Sequence, residues 1–445
     1  MSLTGLKRGL SLAGLLLMAI ATGCGDNPTG TIITPSDTTG APPPTPDPWL
    51  AEHGHRLASL TSDDFKDLQF LKEVIGDRRI VQLGESGHGV AEFNRAKVRL
   101  IRFFHEEMDF DVIAFESDLF ACFHADRSAD GLSAKEVMQS CIYGVWHTSE
   151  VVPLFSYLKE TKESDDPLIL AGFDMKLSSW MSRGFRAQFM RGVVAKVDAA
   201  YAEEVLALEK ELDLLYDDSD WRASVASKAG DLKTRYQALH DFLMEHEGSL
   251  LTAYPDDPAT PLVAQQTARY TVRMVDYVVA SQMEGCAGTE ARDISMAENA
   301  TFLADRVFPD RKILIWAHNF HIRHNNRAMV GGGCYTMGEG IQSRHRSELY
   351  TVGLYMYQGS AAMNNRTVYT IYPAMDNTLE GYLHAAGEPY LFLDLLHLDP
   401  VTAPAWIFEE TMARSWGYSM TTFIPREQYD GLLHIEQVHS PQYVY

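Results

Sequence analysis

Two short polar segments of this sequence carry side chains that exchange protons near neutral pH. Gly84-Glu85-Ser86-Gly87-His88 and His318-Asn319-Phe320-His321 each follow an apolar run directly. A carboxylate that accepts one N–H of an imidazole fixes its tautomer and raises its basicity, so Glu85 or Glu116 is a candidate partner for His88. Such a pair activates water for attack on a carbonyl, and a second histidine or a cation stabilises the oxyanion.

Two competing chemistries use the same residues. The first segment resembles the Gly-x-Ser-x-Gly elbow of serine hydrolases, but His88 replaces the last glycine, so we do not expect Ser86 to be a nucleophile. His318 and His321 have the spacing of metal ligands, which Glu85, Glu116 or His88 would complete. Because this pair directly follows a strand and no His-Glu-x-x-His motif is present, we expect no metal and keep a divalent cation as the minority alternative.

Buried strands must position these residues. Helical patterns alternate with four apolar runs that predict core strands of a mostly parallel α/β sheet: Ile80–Leu83, Val112–Phe115, Leu168–Ala171 and Ile313–Trp316. Polar residues follow all four runs: Glu85 and His88, Glu116 and Asp118, Asp174, and His318 and His321. Ligands of such sheets bind outside the carboxyl ends of the strands, so we expect one shared crevice.

The rest of the chain predicts one domain, residues 51–445, with helices flanking the sheet. A helical insertion of about residues 182–300 separates the third and fourth core strands, with breaks near 217–220 and 254–258. Later strand-like runs extend the sheet at Leu349–Tyr357, Tyr390–Asp394 and Gly431–Ile435.

The N-terminus has the pattern of an export signal. Lys7 and Arg8 precede an apolar run, Leu10–Ile20, and then Ala21-Thr22-Gly23-Cys24. We expect a signal peptide over residues 1–23, lipidation of Cys24, and a disordered Pro/Thr-rich linker over 24–50. The protein would then be exported and anchored by its lipid to a bacterial cell envelope.

Charge and cysteine content limit the partners and the compartment. With 38 basic and 60 acidic residues the net charge is −22, which disfavours nucleic acid. In an oxidising compartment the four cysteines after Cys24 favour disulfides, and the pairs with the shortest loops are Cys122 with Cys141 and Cys286 with Cys334.

The chain resembles the erythromycin esterase family over nearly the whole expected domain, and more distantly exported Gly-x-x-His hydrolases and haem-binding lipoproteins. Two segments are distinctive, Leu83–Gly89 and Trp316–His321. Weaker similarities occur, in the family's order, at Glu92-Phe93, Phe115-Glu116, Gly172–Met175, Arg292-Asp293, Met296–Asn299 and Met337-Gly338.

The resemblance implies metal-independent hydrolysis of a small-molecule ester or lactone, which in the best-known members is a macrolide. It implies that His88 is the base and that the other catalytic residues are Glu85, Glu116 and His318. Supporting or substrate-binding roles are implied for His321, Lys97, Asp174, Asn319, Arg292 and Asp293. Lys97 stands where the family usually has arginine, and a lysine lacks the bidentate fork.

Two other functions fit the same family resemblance. One is a metal-dependent hydrolase or peptidase of this fold. The other is a lipoprotein that binds haem or another ligand without turnover, with Met337 and His318 among the contacts.

Overall fold

A computed structural model describes residues 47–177 and 179–445. The expected signal peptide, Cys24 and most of the expected linker lie outside this range. Helix α1 (Pro48–His53) spans the expected boundary at 51 and buries Leu50. Within the described ranges, no helix combines the length and apolar character needed to cross a membrane.

The core is a nine-stranded, mostly parallel sheet, as expected. The strands of the described chain are β1 (His55–Arg56), β2 (Ile80–Leu83), β3 (Phe110–Asp118), β4 (Ile169–Asp174), β5 (Lys312–Trp316), β6 (Leu349–Ala362), β7 (Val368–Ile371), β8 (Tyr390–Asp394), β9 (Thr411–Ser415), β10 (Ser419–Phe423) and β11 (Gly431–Val438). The sheet order is β1-β8-β11-β6-β2-β5-β3-β4, with β7 paired to β6, while β9 and β10 form a separate hairpin.

Helices cover both faces of this sheet with two large apolar cores. After α1 they are α2 (Leu71–Ile75), α3 (Ala91–Met108), α4 (Leu119–Ser128), α5 (Ala134–Cys141), α6 (Val152–Thr161), α7 (Trp180–Val194), α8 (Ala199–Asp217), α9 (Trp221–Ser227), α10 (Ala229–Glu245), α11 (Glu247–Ala253), α12 (Ala259–Ala280), α13 (Ala287–Phe302), α14 (Asn319–Ile322), α15 (Met337–His345), α16 (Leu379–His384) and α17 (Pro425–Gln428). This confirms the predicted α/β class.

The helical insertion is confirmed as the run from α7 to α13. Its two expected breaks are the gap between α8 and α9 and the gap between α11 and α12. Apolar side chains such as Leu208, Leu232 and Val275 form its interior. One buried ion pair, between Arg186 and Glu209 at 2.6 Å, crosses from α7 to α8.

Strand order explains how two segments more than 200 residues apart meet. All four expected core strands are present, and the fourth, β5, lies between β2 and β3. Leu83 at the end of β2 pairs with Trp316 at the end of β5 in a parallel register. The two histidine segments therefore leave the sheet side by side.

The cysteines correct half of the expected pairing. Cys286 and Cys334 form the expected disulfide, whereas Cys122 and Cys141 are free and buried. The Cys141 thiol donates to the carbonyl of Val137 at 3.2 Å, one turn back in α5, and the Cys122 thiol lies 3.8 Å from the carbonyl of Cys141. A short loop brings these two residues together, but backbone oxygens take up both thiols.

Candidate active site

Close backbone packing shapes the turn that follows β2. The backbone N–H of Asn319 donates to the carbonyl of Glu85 at 2.8 Å, and that of Ser86 donates to Leu354 in β6 at 3.0 Å. A Cβ at Gly84 would lie 2.0 Å from the Asn319 side-chain oxygen. Glycine is therefore required where the two histidine segments touch.

Glu85 is the partner of His88. Its Oε1 lies 2.6 Å from Nδ1 of His88 and also accepts from the indole N–H of Trp146 at 2.9 Å. Lys97 donates to the other carboxylate oxygen. Because a carboxylate only accepts, Nδ1 carries the proton and Nε2 is the basic nitrogen of the neutral ring. Of the two expected partners, the structure pairs Glu85 with His88.

Lys97 lies behind the site and holds the Glu85 carboxylate. It is fully buried, and its Nζ sits 4.0 Å from the centre of the Trp316 ring. Burial lowers the pKa of Lys97 to about 8, although Glu85 opposes this shift. In this geometry Lys97 holds the Glu85 carboxylate.

We expect Lys97 to set an alkaline limb in the pH profile of activity. Below pH 8 the ammonium is protonated and balances Glu85, whereas above pH 8 the neutral amine leaves Glu85 without its cation, so kcat/KM falls. In Lys97→Arg the cation persists and the limb should move up by more than about 1 pH unit. Rates between pH 6 and 10 on a substrate that the wild type turns over measure this shift, and a limb that stays at the same pH in Lys97→Arg contradicts it.

His318 faces His88 as a neutral ring. The two ring centres are 5.0 Å apart. Nδ1 of His318 accepts the backbone N–H of Phe320 at 3.1 Å, so the proton of the neutral ring is on Nε2. Burial, with nearby His88 and His321, holds the pKa of His318 well below 6.5. Nε2 is buried and has no hydrogen-bond partner among the residues that the structure describes.

Glu116 supports His318 through the backbone. One oxygen accepts the His318 backbone N–H at 3.0 Å, and the other accepts from Arg292 at 2.7 Å. Arg292 also donates to Asp174 at 2.6 Å. Although burial raises the pKa of Asp174, Arg292 and Lys176 hold it below its usual value. The carboxyl ends of β3 and β4 and helix α13 thus meet in one buried ion network.

His321 belongs to that network. Its Nδ1 donates to Asp293 at 2.8 Å, and its Nε2 lies 3.1 Å from a nitrogen of Arg292. Both ring nitrogens are therefore committed to protein groups instead of being directed, with His318, at a common metal position. Residues 47–177 and 179–445 contain no cluster of three or more His, Cys, Asp or Glu side chains suited to a metal ion.

Three further residues from the sequence analysis bond to other groups of the protein. The Asn319 side chain is fixed to the backbone of Leu354 by two hydrogen bonds, at 2.9 and 3.2 Å. Met337 is buried, and its backbone N–H donates to Asp293 at 2.8 Å. Asp118 accepts from Ser182 at 2.6 Å and joins the sheet to the insertion, and burial raises its pKa to about 6 although Ser182 opposes the shift.

Three aromatic residues complete the site. Trp146 and Trp416 contact the His88 ring edge-on, with ring centres at 5.2 and 5.4 Å, and Tyr143 donates to Asp174 at 2.6 Å. All three lie outside the strand-end segments that the sequence analysis used. An unusual tryptophan before a glycine in a turn, Trp416-Gly417, is the available signal for one of them.

Comparison with known proteins fits this geometry. The family model for erythromycin esterase matches residues 105–438, more than half of the chain. This chain belongs to the erythromycin esterase family. One relative that is similar in sequence is "Putative hydrolase YbfO" of Bacillus subtilis. It is 34% identical over 409 residues, which cover 88% of this chain and 91% of that protein. The relatives support hydrolase activity.

Solved structures share the erythromycin esterase fold. A crystal structure of a Bacillus cereus protein has a TM-score of 0.75 at 17% identity and covers 89% of this chain and 98% of its own. A variant of the erythromycin esterase EreC in its open conformation has a TM-score of 0.62 at 18% identity, covering 86% of this chain and 96% of its own. At these identities the likeness concerns the fold alone.

Proposed function

We propose that this hydrolase cleaves a carboxylic ester or lactone with a water molecule that His88 activates, without a metal. The observation that carries the proposal is that a base, His88, and a hydrogen-bond donor, His318, face each other. His88 is held by Glu85 at 2.6 Å with Nε2 as its basic nitrogen. The neutral His318 presents an N–H that has no hydrogen-bond partner within residues 47–177 and 179–445, and the two ring centres are 5.0 Å apart.

In the proposed reaction Nε2 of His88 takes a proton from water as the water oxygen bonds to the carbonyl carbon. The carbonyl π electrons move to its oxygen, and the His318 Nε2–H donates to that oxyanion. When the carbonyl re-forms, the C–O bond to the alcohol breaks and the imidazolium returns its proton to the leaving oxygen. Glu85 stabilises the imidazolium throughout, and the products are a carboxylic acid and an alcohol.

The proposed substrate is a small ester or lactone, and a macrolide is one candidate because of the named family. The proposed setting is the bacterial cell envelope, on the outer side of a membrane, with a lipid on Cys24 as the anchor. The arrangement of Lys7, Arg8, the apolar run and the small residues before Cys24 supports export.

Mass spectrometry of erythromycin and a panel of activated esters tests this proposal. The expected result is a mass gain of one water for at least one substrate, with the same rate after treatment with a chelator. Loss of activity on chelation and its return with a divalent ion would overturn the metal-free mechanism. A purified protein with a haem spectrum and no turnover of any ester would instead identify a binding protein.

A further inference from the structure

The indole of Trp416 covers the two histidines of the candidate active site. Its ring centre lies 5.4 Å from that of His88, at 83°, and 5.6 Å from that of His318, at 27°, so it meets one imidazole by its edge and stacks on the other. Gly87 lies against the same indole, and a Cβ there would be 3.3 Å from a ring carbon. One aromatic side chain, that of Trp416, therefore contacts both histidines.

Trp416 reaches this position from a turn that disfavours its residue type. It links β9 to β10, and the backbone N–H of Tyr418 donates to the carbonyl of Ser415 at 3.3 Å. Both central residues have a positive φ, 58° at Trp416 and 72° at Gly417. This is the pattern of a type I′ turn, in which Asn-Gly, Asp-Gly and Gly-Gly are preferred. A tryptophan in the left-handed region is strained, and such strain concentrates at functional sites.

The surroundings hold the strained residue in place. The Trp416 backbone N–H donates to the carbonyl of Ser86 at 2.6 Å, and its carbonyl accepts from the Tyr369 hydroxyl at 2.8 Å. Two residues before Trp416, the Arg414 side chain donates to the carbonyls of Tyr357 and Tyr372, each at 2.8 Å. Among the residues that the structure describes, the hairpin pairs with no strand of the nine-stranded sheet, and these contacts help to hold the indole against His88 and His318.

We propose that Trp416 determines substrate specificity, as the wall that receives the apolar group bonded to the scissile ester. This inference rests on the proposed ester hydrolysis. A carbonyl held by His88 and His318 lies next to two indoles, because Trp146 and Trp416 both contact the His88 ring edge-on and Trp416 also stacks on His318. The charged groups Glu85 and Lys97 bond each other. Substituents of the carbonyl therefore meet aromatic carbon, which favours hydrocarbon over charged or small polar groups.

Variants at this position separate the ring from the turn. Asparagine suits the first central position of a type I′ turn, so Trp416→Asn removes the indole and keeps the hairpin. Trp416→Phe keeps an aromatic wall. A matched control is Trp406→Asn, because Trp406 stacks on Tyr382 instead of on the histidines, with ring centres 5.2 Å apart. Circular dichroism and thermal unfolding establish that each variant is folded.

The measurement is kcat/KM for p-nitrophenyl octanoate divided by that for p-nitrophenyl acetate. We expect this ratio to fall about tenfold or more in Trp416→Asn, to stay within about threefold in Trp416→Phe, and to be unchanged in Trp406→Asn, since pocket contacts with a hydrocarbon discriminate by such factors. Equal loss on both esters in Trp416→Asn would overturn the proposal, because a residue that only supports the fold or orients His318 acts on every ester alike.

Binding without turnover separates this inference from the proposed function. Calorimetry compares p-nitrophenyl octanoate binding to His88→Asn and to the His88→Asn/Trp416→Asn double variant. We expect binding by the first and at least about tenfold weaker binding by the second. Equal affinities of the two variants, or no binding by His88→Asn, overturn the proposed role of Trp416 in substrate binding. Absence of hydrolysis of every ester by the wild type overturns the proposed reaction, while the binding comparison still decides the role of Trp416.

Discussion

Replacement of His88 by asparagine should lower kcat/KM for ester hydrolysis by a factor of about 10²–10⁴, the usual contribution of a general base. Asparagine keeps a polar group next to Glu85 but has no titratable nitrogen to accept the proton of water. The His88 side chain is 1% exposed, and asparagine is smaller than histidine, so the replacement introduces no steric clash with the surrounding rings. Steady-state rates on the ester that the wild type cleaves best provide the measurement.

A control for this experiment is His397→Asn. His397 is exposed and pairs with Asp394 at 2.6 Å, so the activity of this variant should equal that of the wild type. Thermal unfolding should give similar Tm values for both variants. A His88→Asn protein that retains more than about a tenth of the wild-type rate would show that another group is the base.

Arg292→Met should lower the free energy of unfolding by about 3–5 kcal/mol, the cost of removing one partner from a buried ion network. Arg292 is buried and donates to Glu116 at 2.7 Å and to Asp174 at 2.6 Å. Without the guanidinium these two carboxylates remain buried with no cation between them. Because Glu116 holds the backbone of His318 at 3.0 Å, activity should fall as well.

Urea denaturation at neutral pH measures this loss, and Arg273→Met is the matched control. Arg273 bonds Glu298 on the neighbouring helix, but the two side chains are 28% and 33% exposed, so its removal should cost at most about 1 kcal/mol. Because Arg292 and Lys176 hold the pKa of Asp174 below its usual value, the stability gained from Asp174 in the wild type should disappear as the pH falls through that lowered pKa. Equal losses of unfolding free energy in Arg292→Met and Arg273→Met would contradict the importance assigned to the buried ion network.

The residues that follow the strands were the part of this site that could be predicted from the sequence. An apolar run followed by Glu85 and His88, and another followed by His318 and His321, sufficed to predict that all four residues meet. The pattern did not reveal that β5 inserts between β2 and β3, because the order of parallel strands depends on the packing of helices that are distant in sequence. It also left open which carboxylate serves His88, since that choice depends on side-chain directions that only the folded turn sets.

Short edge strands and aromatic contacts were not predictable in the same way. Strands β1 and β7 have two and four residues at the margins of the sheet, too few for a period of two to stand out. Cys122 and Cys141 show a related limit, because proximity in the chain does not report where a thiol points. Trp416 was overlooked because its role depends on a positive φ, which a sequence reveals only through the glycine that follows.

The disulfide also restricts the conformations of the unfolded chain. It joins Cys286 to Cys334, 48 residues apart, and the loop that it closes contains Arg292, Asp293, the whole of β5 and both histidines of the second segment. Closing a loop of this length removes conformational freedom from the unfolded chain that is worth about 4 kcal/mol. The cross-link therefore acts before any side chain packs, by keeping the ends of the stretch that carries half of the site within reach of each other.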